Sequence, residues 1–368
     1  MLKRLYVHNF RCLENFELKL DRVNLLLGGN GSGKTTAFEV LYRLQQFLAG
    51  NTKILAVFPG GELTRWQNSA TQRFELDLQF PDAAYAYALV IEHDADRRKA
   101  KIKSETLLLD GKKLFHFQDG TAELYHDDFT PGPQYPFDWT QSGVGSLGSR
   151  GDNKKLTRFR EEMQKMIIAS PHPMRMSSES REDESSLSRH MENFVSWYWF
   201  HSNVNQGAGF ALFQELKQVI PGFDSFSLKD AGEAKVLKVL LDHPDVNKRP
   251  IPFDFSELSD GQRVLVALYA LLFLLKDEGV SLFLDEPDNF VALREIQPWL
   301  TALTDACGDG LEQAVLISHH PEIINHLAVR SGRWFERDHN GPARVSDQPM
   351  VQVEGLSASE SIARGWNA

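Results

Sequence analysis

A chain of 368 residues, 42% hydrophobic and 24% charged, has ordinary globular composition and enough length for a large core or two lobes. Its formal net charge of −10 excludes a surface that attracts nucleic acid everywhere, so any DNA contact has to come from local basic patches. Its two cysteines, Cys12 and Cys307, lie far apart without metal-ligand spacing, which excludes a disulfide scaffold and predicts a cytoplasmic protein.

In chain order, Met1 to Val7 has no long apolar core and is not expected to be a signal peptide. Leu2 to Phe10, Phe16 to Leu20 and Val23 to Leu27 read as short strands with turn residues between them. Gly28 to Thr35 then reads GGNGSGKT, which fits G-x-x-x-x-G-K-[S/T] without a mismatch. A helix follows from Thr36 to Leu48, with Ala37, Leu41, Leu44 and Leu48 on one face and Gly50 as its stop. Strand, glycine loop and helix together form a nucleotide phosphate loop. The glycines let backbone N–H groups turn toward phosphate oxygens, and the helix adds its positive end. Lys34 is expected to reach the β- and γ-phosphates, and Thr35 to hold Mg²⁺.

A second β region follows. Arg73 to Phe80 alternates strictly, and Tyr85 to Ile91, Ala100 to Leu109 and Lys113 to Phe117 continue it as an antiparallel meander. Thr130 to Asp152 is rich in Pro, Gly and Ser and reads as a long loop. A helix is predicted over Leu156 to Ala169, and Pro171 to Ser188 is polar enough to be mobile. Helices are predicted again at Leu187 to Phe200 and Gly209 to Val219, and strands at Ser225 to Lys229 and Lys235 to Leu241. Val264 to Leu275 is too short for a hydrocarbon layer of roughly 30 Å and reads as a helix buried on all sides; no membrane partner is expected.

Three later motifs carry chemistry. Leu258-Ser259-Asp260-Gly261-Gln262-Arg263 opens that buried helix; Ser259 with Gln262 forms a capping box, and such a helix end also attracts an anion such as a γ-phosphate. Val280 to Leu284 is an apolar strand ending in Asp285-Glu286-Pro287, which places two carboxylates at the mouth of a parallel sheet. Asp285 is expected to hold Mg²⁺ through water, and Glu286 to polarise the attacking water. Ala314 to Ser318 is another apolar strand, followed by His319-His320; His319 is expected to hydrogen-bond the γ-phosphate. A metal site from the adjacent histidines is disfavoured, because neighbouring side chains of a strand point to opposite faces.

Together these elements resemble the ABC-type ATPase head of the RecF, SMC and OLD group, over Met1 to about Leu48 and Phe255 to about Leu327. The resemblance implies an α/β P-loop NTPase fold: an ABC-type head with a mixed sheet and an α+β insertion lobe. The expected division is 1–129 and 255–368 for the two halves of the head and 130–254 for the lobe. It makes Asn30, Gly31, Ser32, Gly33, Lys34, Thr35 and Thr36 the Walker A loop, Leu258 to Gln262 the signature, Asp285 and Glu286 the Walker B pair, Asp288 to Leu293 a D-loop region and His319 the switch histidine. Asn9-Phe10-Arg11-Cys12-Leu13 resembles the start of that group and puts Arg11 near the nucleotide. The resemblance further implies ATP as substrate, Mg²⁺ as cofactor, and a homodimer in which Ser259, Gly261 and Gln262 reach ATP bound to the second copy.

The departures refine this. Asp260 stands where many ABC proteins have glycine, a variant similar to standalone ATPases of the group found in phage defence. Leu156 to Ala169 holds too few heptads for an SMC arm. Gln67 and Gln72 are the candidates for a Q-loop glutamine, and the stretch after His326 is expected to be too short for a Toprim nuclease. The expected role is therefore an ATP-driven switch for a separately encoded effector such as a nuclease or toxin. A RecF-like DNA-repair ATPase and a transporter subunit are the alternatives. For DNA, two patches are candidates: Arg97 to Lys103, and Arg150, Lys154, Lys155, Arg158 and Arg160. Trp197-Tyr198-Trp199-Phe200 is expected to pack in a core rather than stack on bases.

Overall fold

The computed structural model describes residues 1–50, 52–94, 98–245, 247–346 and 355–364; Arg97 of the first basic patch lies outside them. The chain divides into two compact units, Met1–Met166 with Gly332–Gln348, and Ile167–Ser331 with Pro349–Ala368.

The first unit opens with strands β1 (Leu2–His8), β2 (Phe16–Lys19) and β3 (Val23–Leu27) and helices α1 (Lys34–Leu48) and α2 (Ile54–Val57). Strands β4 (Thr71–Phe80), β5 (Ala83–Asp94), β6 (Lys99–Leu109), β7 (Lys112–Gln118), β8 (Thr121–Tyr125) and β9 (Pro131–Pro136) follow, then helices α3 (Gly143–Ser146) and α4 (Lys154–Gln164). Among the described residues an antiparallel sheet runs β2-β1-β4-β5-β6-β7-β8-β9, so the predicted meander is present and extends by two strands. Alternation sets its buried face: Leu5 pairs with Leu18 and Leu76, and all three are fully buried. The Pro-rich stretch expected to be a loop instead supplies β9, where Ala122 pairs with Tyr135. Prolines cannot donate ladder bonds, and the sheet edge is the place that tolerates them. Phe159 of α4 packs on Tyr85 and Tyr87, with ring centroids 5.7 and 5.6 Å away. The buried face of α1 includes Ala37, Leu41, Leu44 and Leu48, as the spacing predicts. Its buried Gln45 donates to the carbonyls of Met163 (2.9 Å) and Met166 (2.7 Å), which satisfies the open end of α4.

The second unit contains β10 (Ile167–Ala169), β11 (Glu179–Ser180), α5 (Phe194–Val204), α6 (Gln206–Val219), β12 (Phe223–Ala231), β13 (Ala234–Leu241), β14 (Ile251–Asp254), α7 (Asp260–Leu274), β15 (Val280–Asp285), α8 (Leu293–Ala306), β16 (Leu311–Ile317) and α9 (Pro321–Ser331). The predicted helix at Leu156 to Ala169 stops at Gln164, and Ile167 to Ala169 becomes a strand parallel to β15. Two β-branched residues and a nearby proline favour the extended chain once a partner strand is present. Likewise the helix expected from Leu187 begins only at Phe194, after Met191 adopts a φ of 60° that no helix admits. β15 is buried at every position and runs parallel to β16. α7 is buried from Val264 through Leu272, which accounts for its lack of a polar face. A smaller antiparallel sheet joins β11, β12 and β14 to β13. Trp197 and Tyr198 are buried; Tyr198 meets Phe226 at 5.3 Å, so half of the aromatic cluster is core.

The chain then returns to the first unit with β17 (Gly332–Arg337) and β18 (Ala343–Ser346); β17 runs parallel to β3 and antiparallel to β18. α10 (Ala358–Ala363) docks on α9 in the second unit, where Ser359 N–H donates to Asn325 at 2.9 Å. Among the described residues no helix is long and apolar enough to cross a membrane.

Candidate nucleotide site

β3 delivers the chain at Gly28 and α1 carries it away from Lys34, so the glycine octet becomes a tight loop over a helix N-terminus. Two of its glycines are required by geometry. At Gly28, φ is 140° and a Cβ would stand 2.2 Å from the Phe335 carbonyl oxygen. At Gly33, φ is 107° and a Cβ would crowd Cys12 Sγ and Ala343 at 3.1 Å. Lys34 is 6% exposed, and its Nζ donates to the carbonyls of Gly28 (2.6 Å) and Gly29 (3.1 Å) and lies 3.5 Å from Ser32 Oγ. A buried ammonium at a helix N-terminus beside loop oxygens is suited to meet an anion such as a phosphate. Ser32 is buried, Thr36 half-buried, and Asn30, Gly31 and Thr35 exposed. A cleft of about 570 Å³ runs along Gly29 to Ser32 and Phe335 to Asn340.

Arg11 has a left-handed φ of 49°, and its guanidinium meets Glu62 at 2.5 Å. Burial works against the charge of Glu62, but hydrogen bonds from Arg43 and Arg11 overcome it and hold the carboxyl below its ordinary pKa. Of the Q-loop candidates, Gln72 is buried and committed: it donates to Asn9 O at 2.9 Å and meets His93 at 2.8 Å. Gln67 is half-buried, and its backbone N–H donates to Thr64 O.

The second unit holds the other candidates. Asp285 is 7% exposed at the end of β15. Glu286 follows with φ at 51°, its N–H donating to Ile317 O at 2.8 Å, and its carboxylate stands 3.7 Å from His319 Nε2. A glutamate in that region stores about 1–2 kcal/mol of strain, offset by the surrounding bonds. Asp288 is buried with one oxygen unpartnered; burial raises its pKa, against a Ser318 hydrogen bond and the nearby His320 and His319. At the start of α7, Ser259 Oγ accepts from Gln262 N–H (3.3 Å), and Gln262 Oε1 accepts from Ser259 N–H (3.1 Å), the expected capping box. A Cβ at Gly261 would lie 2.5 Å from the Phe290 carbonyl oxygen, so signature and D-loop region touch. Phe290 and Leu293 beside it are 51% and 56% exposed.

Thus Asp285, Glu286 and His319 gather at two neighbouring strand ends, and Ser259, Gly261 and Gln262 gather at one helix end. Among the described residues no group of three or more His, Cys, Asp or Glu forms a metal cluster. The carboxylate of Asp285 and the hydroxyl of Thr35 are each hard oxygen donors, the ligand type that suits Mg²⁺.

Each basic patch contains an ion pair, Lys101 with Glu92 and Arg158 with Asp82. Lys99, Lys101 and Lys103 do line one exposed face of β6, but Glu92 pairs across from Lys101 and Asp94 from Lys99. Arg158 is bidentate to Asp82 (2.7 and 2.8 Å), and Arg160 donates to the carbonyls of Gly145 and Leu147. One residue beside the phosphate loop has no signal in the sequence. Arg337 donates to Gly31 O (3.3 Å) and Gly341 O (2.6 Å). The carboxylate of Asp260 meets the guanidinium of Arg263, a pair at the three-residue spacing that faces charges on one side of a helix.

Over residues 23–325 the chain matches the protein family described as "AAA domain, putative AbiEii toxin, Type IV TA system". It is 51% identical over 41 residues to an OLD nuclease of Thermus scotoductus (strain ATCC 700910 / SA-01); that stretch is 11% of this chain and 8% of the nuclease, a small part of the relative's length. Its fold is similar to an SMC head bound to the C-winged helix domain of ScpA, with a TM-score of 0.57 and 9% identity over 98% of this chain and 99% of that one. An SMC head with an extended coiled coil, bound to the C-terminal domain of ScpA from Pyrococcus furiosus, is also similar (TM-score 0.47, 9% identity, 99% and 98% covered). The fold is therefore that of an α/β P-loop ATPase head of the SMC and OLD type.

Proposed function

This chain belongs to the AAA-domain family matched over residues 23–325, and we propose that it binds and hydrolyses ATP as a homodimer and uses the nucleotide cycle as a switch for a separately encoded partner in anti-phage defence. The observation that carries the reading is Lys34, a buried ammonium held by loop oxygens at the start of α1. Backbone N–H groups from Asn30 to Thr36 cradle the phosphates, and Lys34 neutralises the β- and γ-phosphates. Arg11 exchanges part of its contact with Glu62 for the nucleotide.

Thr35 and Asp285 would hold Mg²⁺, which supplies charge neutralisation on the transferring phosphoryl group. Glu286 accepts a proton from the attacking water. His319, 3.7 Å from that carboxylate, orients it and donates toward the γ-phosphate. Ser259, Gly261 and Gln262 act in trans: the capped end of α7 closes over the second copy's nucleotide, and exposed Phe290 and Leu293 join the seam. The partner is proposed to be a nuclease or toxin. The family description names a toxin, the sequence relative is a nuclease, and an SMC head of similar fold is bound to a domain of a second protein. The net charge of −10, with Lys101 and Arg158 paired to acids, disfavours DNA as the main partner.

Phosphate release and sedimentation with and without ATP test the reading. Glu286→Gln is expected to bind ATP, lose about 10²–10³-fold in turnover and accumulate as an ATP-bound dimer. Turnover equal to the wild type, or a chain that stays monomeric at saturating ATP, would overturn it.

A further inference from the structure

We infer that Arg263 is a positioning residue that latches the signature helix to the segment joining β10 to the small antiparallel sheet. Its side chain is 12% exposed. One terminal nitrogen donates to the carboxylate of Asp260 and the other to the Pro173 carbonyl at 2.6 Å, while among the described residues Nε has no partner. Among the described residues these two contacts orient it. A cation in the first turn of a helix sits at the positive end of the helix dipole, which disfavours it. Its place there depends on the two acceptors.

Pro173 opens a tight turn in which Arg175 N–H donates to His172 O (2.8 Å) and Met176 N–H to Pro173 O (3.2 Å). On one side of the turn, β10 pairs with β15, and Ala169 stands opposite Leu284, next to Asp285. On the other side, Leu237 N–H donates to Ser178 O at 2.9 Å and Glu179 pairs with Val236. The turn is therefore a strap between the carboxylate-bearing strands and the small sheet, and Arg263 clamps it to the first turn of α7. A shift of the small sheet is carried through the strap to Ser259 and Gly261. Asp260 gains a reason as well: glycine at that position would leave the guanidinium without its aiming carboxylate.

The effect on turnover rests on the role proposed for Ser259 and Gly261; the latch itself does not. Arg263→Ala, Arg263→Lys, Asp260→Ala and the Arg263→Ala/Asp260→Ala double variant of the full chain are compared by amide hydrogen exchange over 172–178 and by steady-state ATP turnover. Arg263→Ala is expected to speed exchange at Arg175 and Met176, and to lower kcat about tenfold with KM changed less than about twofold. Asp260→Ala moves both readouts the same way, the double variant falls no further than Arg263→Ala, and Arg263→Lys recovers part of the loss. Unchanged exchange at 172–178 in Arg263→Ala, or a double variant whose exchange rises by the product of the two single effects, would overturn the latch; faster exchange with wild-type kcat would overturn its coupling to turnover. Equal turnover by wild type and Glu286→Gln would instead sink the hydrolysis reading, and exchange would still decide the latch. If Arg263→Ala does not fold, Asp260→Ala, which alters a partly exposed side chain, carries both readouts.

Discussion

Gly261→Ala separates helix propensity from packing at the signature. Alanine normally favours a helix over glycine by about 1 kcal/mol. Gly209, in the first turn of α6, provides the reference: a Cβ there meets nothing within 4 Å, so Gly209→Ala should stabilise by about 1 kcal/mol. Gly261 is comparably placed in α7, but its Cβ would lie 2.5 Å from Phe290 O, and ordinary contact begins at 3.4 Å. The difference, 3.4 − 2.5, asks for a displacement of about 0.9 Å in a backbone segment, which costs about 1–3 kcal/mol in a packed environment. Gly261→Ala should therefore be about 1–3 kcal/mol less stable than Gly209→Ala. Phe290 already has a φ of 78°, unusual for a bulky residue, and leaves little room for adjustment. Because that segment follows Glu286 directly, turnover should fall about 10–100-fold in Gly261→Ala and stay near wild type in Gly209→Ala. Urea denaturation and phosphate release measure the two effects. Equal midpoints for the two variants, with full turnover in both, would show that the Gly261–Phe290 contact constrains nothing.

Two further outcomes are expected. Gly28→Ala forces a Cβ to 2.2 Å from Phe335 O at a φ of 140°, so it should cost about 3 kcal/mol and abolish binding of a fluorescent ATP analogue; a stable variant that still binds would refute the loop geometry. The second concerns buried Glu105, which accepts from Tyr87 (2.9 Å), Ser142 (2.6 Å) and Gly143 N–H (2.7 Å). Burial raises its pKa despite these bonds, so the folded protein holds this proton more tightly than the unfolded chain. The stabilisation is complete below the unfolded pKa and is lost as pH rises through the folded one. Wild type should therefore gain stability relative to Glu105→Gln as pH falls through that window; the opposite trend in paired thermal melts would reject the assignment.

What the sequence reveals divides by the range of the cause. The strand, loop and helix around Lys34 are legible because their determinants lie within a few residues: glycines that reach positive φ, an apolar run before them and a spaced apolar face after them. The strand ends at Asp285 and Ile317 are legible for the same reason, and so is the capping box of Ser259. Ile167 to Ala169 is not, since its conformation is decided by β15, more than a hundred residues away along the chain. The prolines of β9 mislead until the sheet edge is known. Gly261 fits the signature pattern, yet its physical necessity comes from Phe290 O; Arg263 has a reason only once Pro173 O is beside it. Both long-range contacts converge on the first turn of α7, one from the loop that follows Glu286 and one from the strap that leads into the small sheet. A helix end fixed from two sides has few ways to move alone, so whatever displaces Ser259 must also displace one of those two segments.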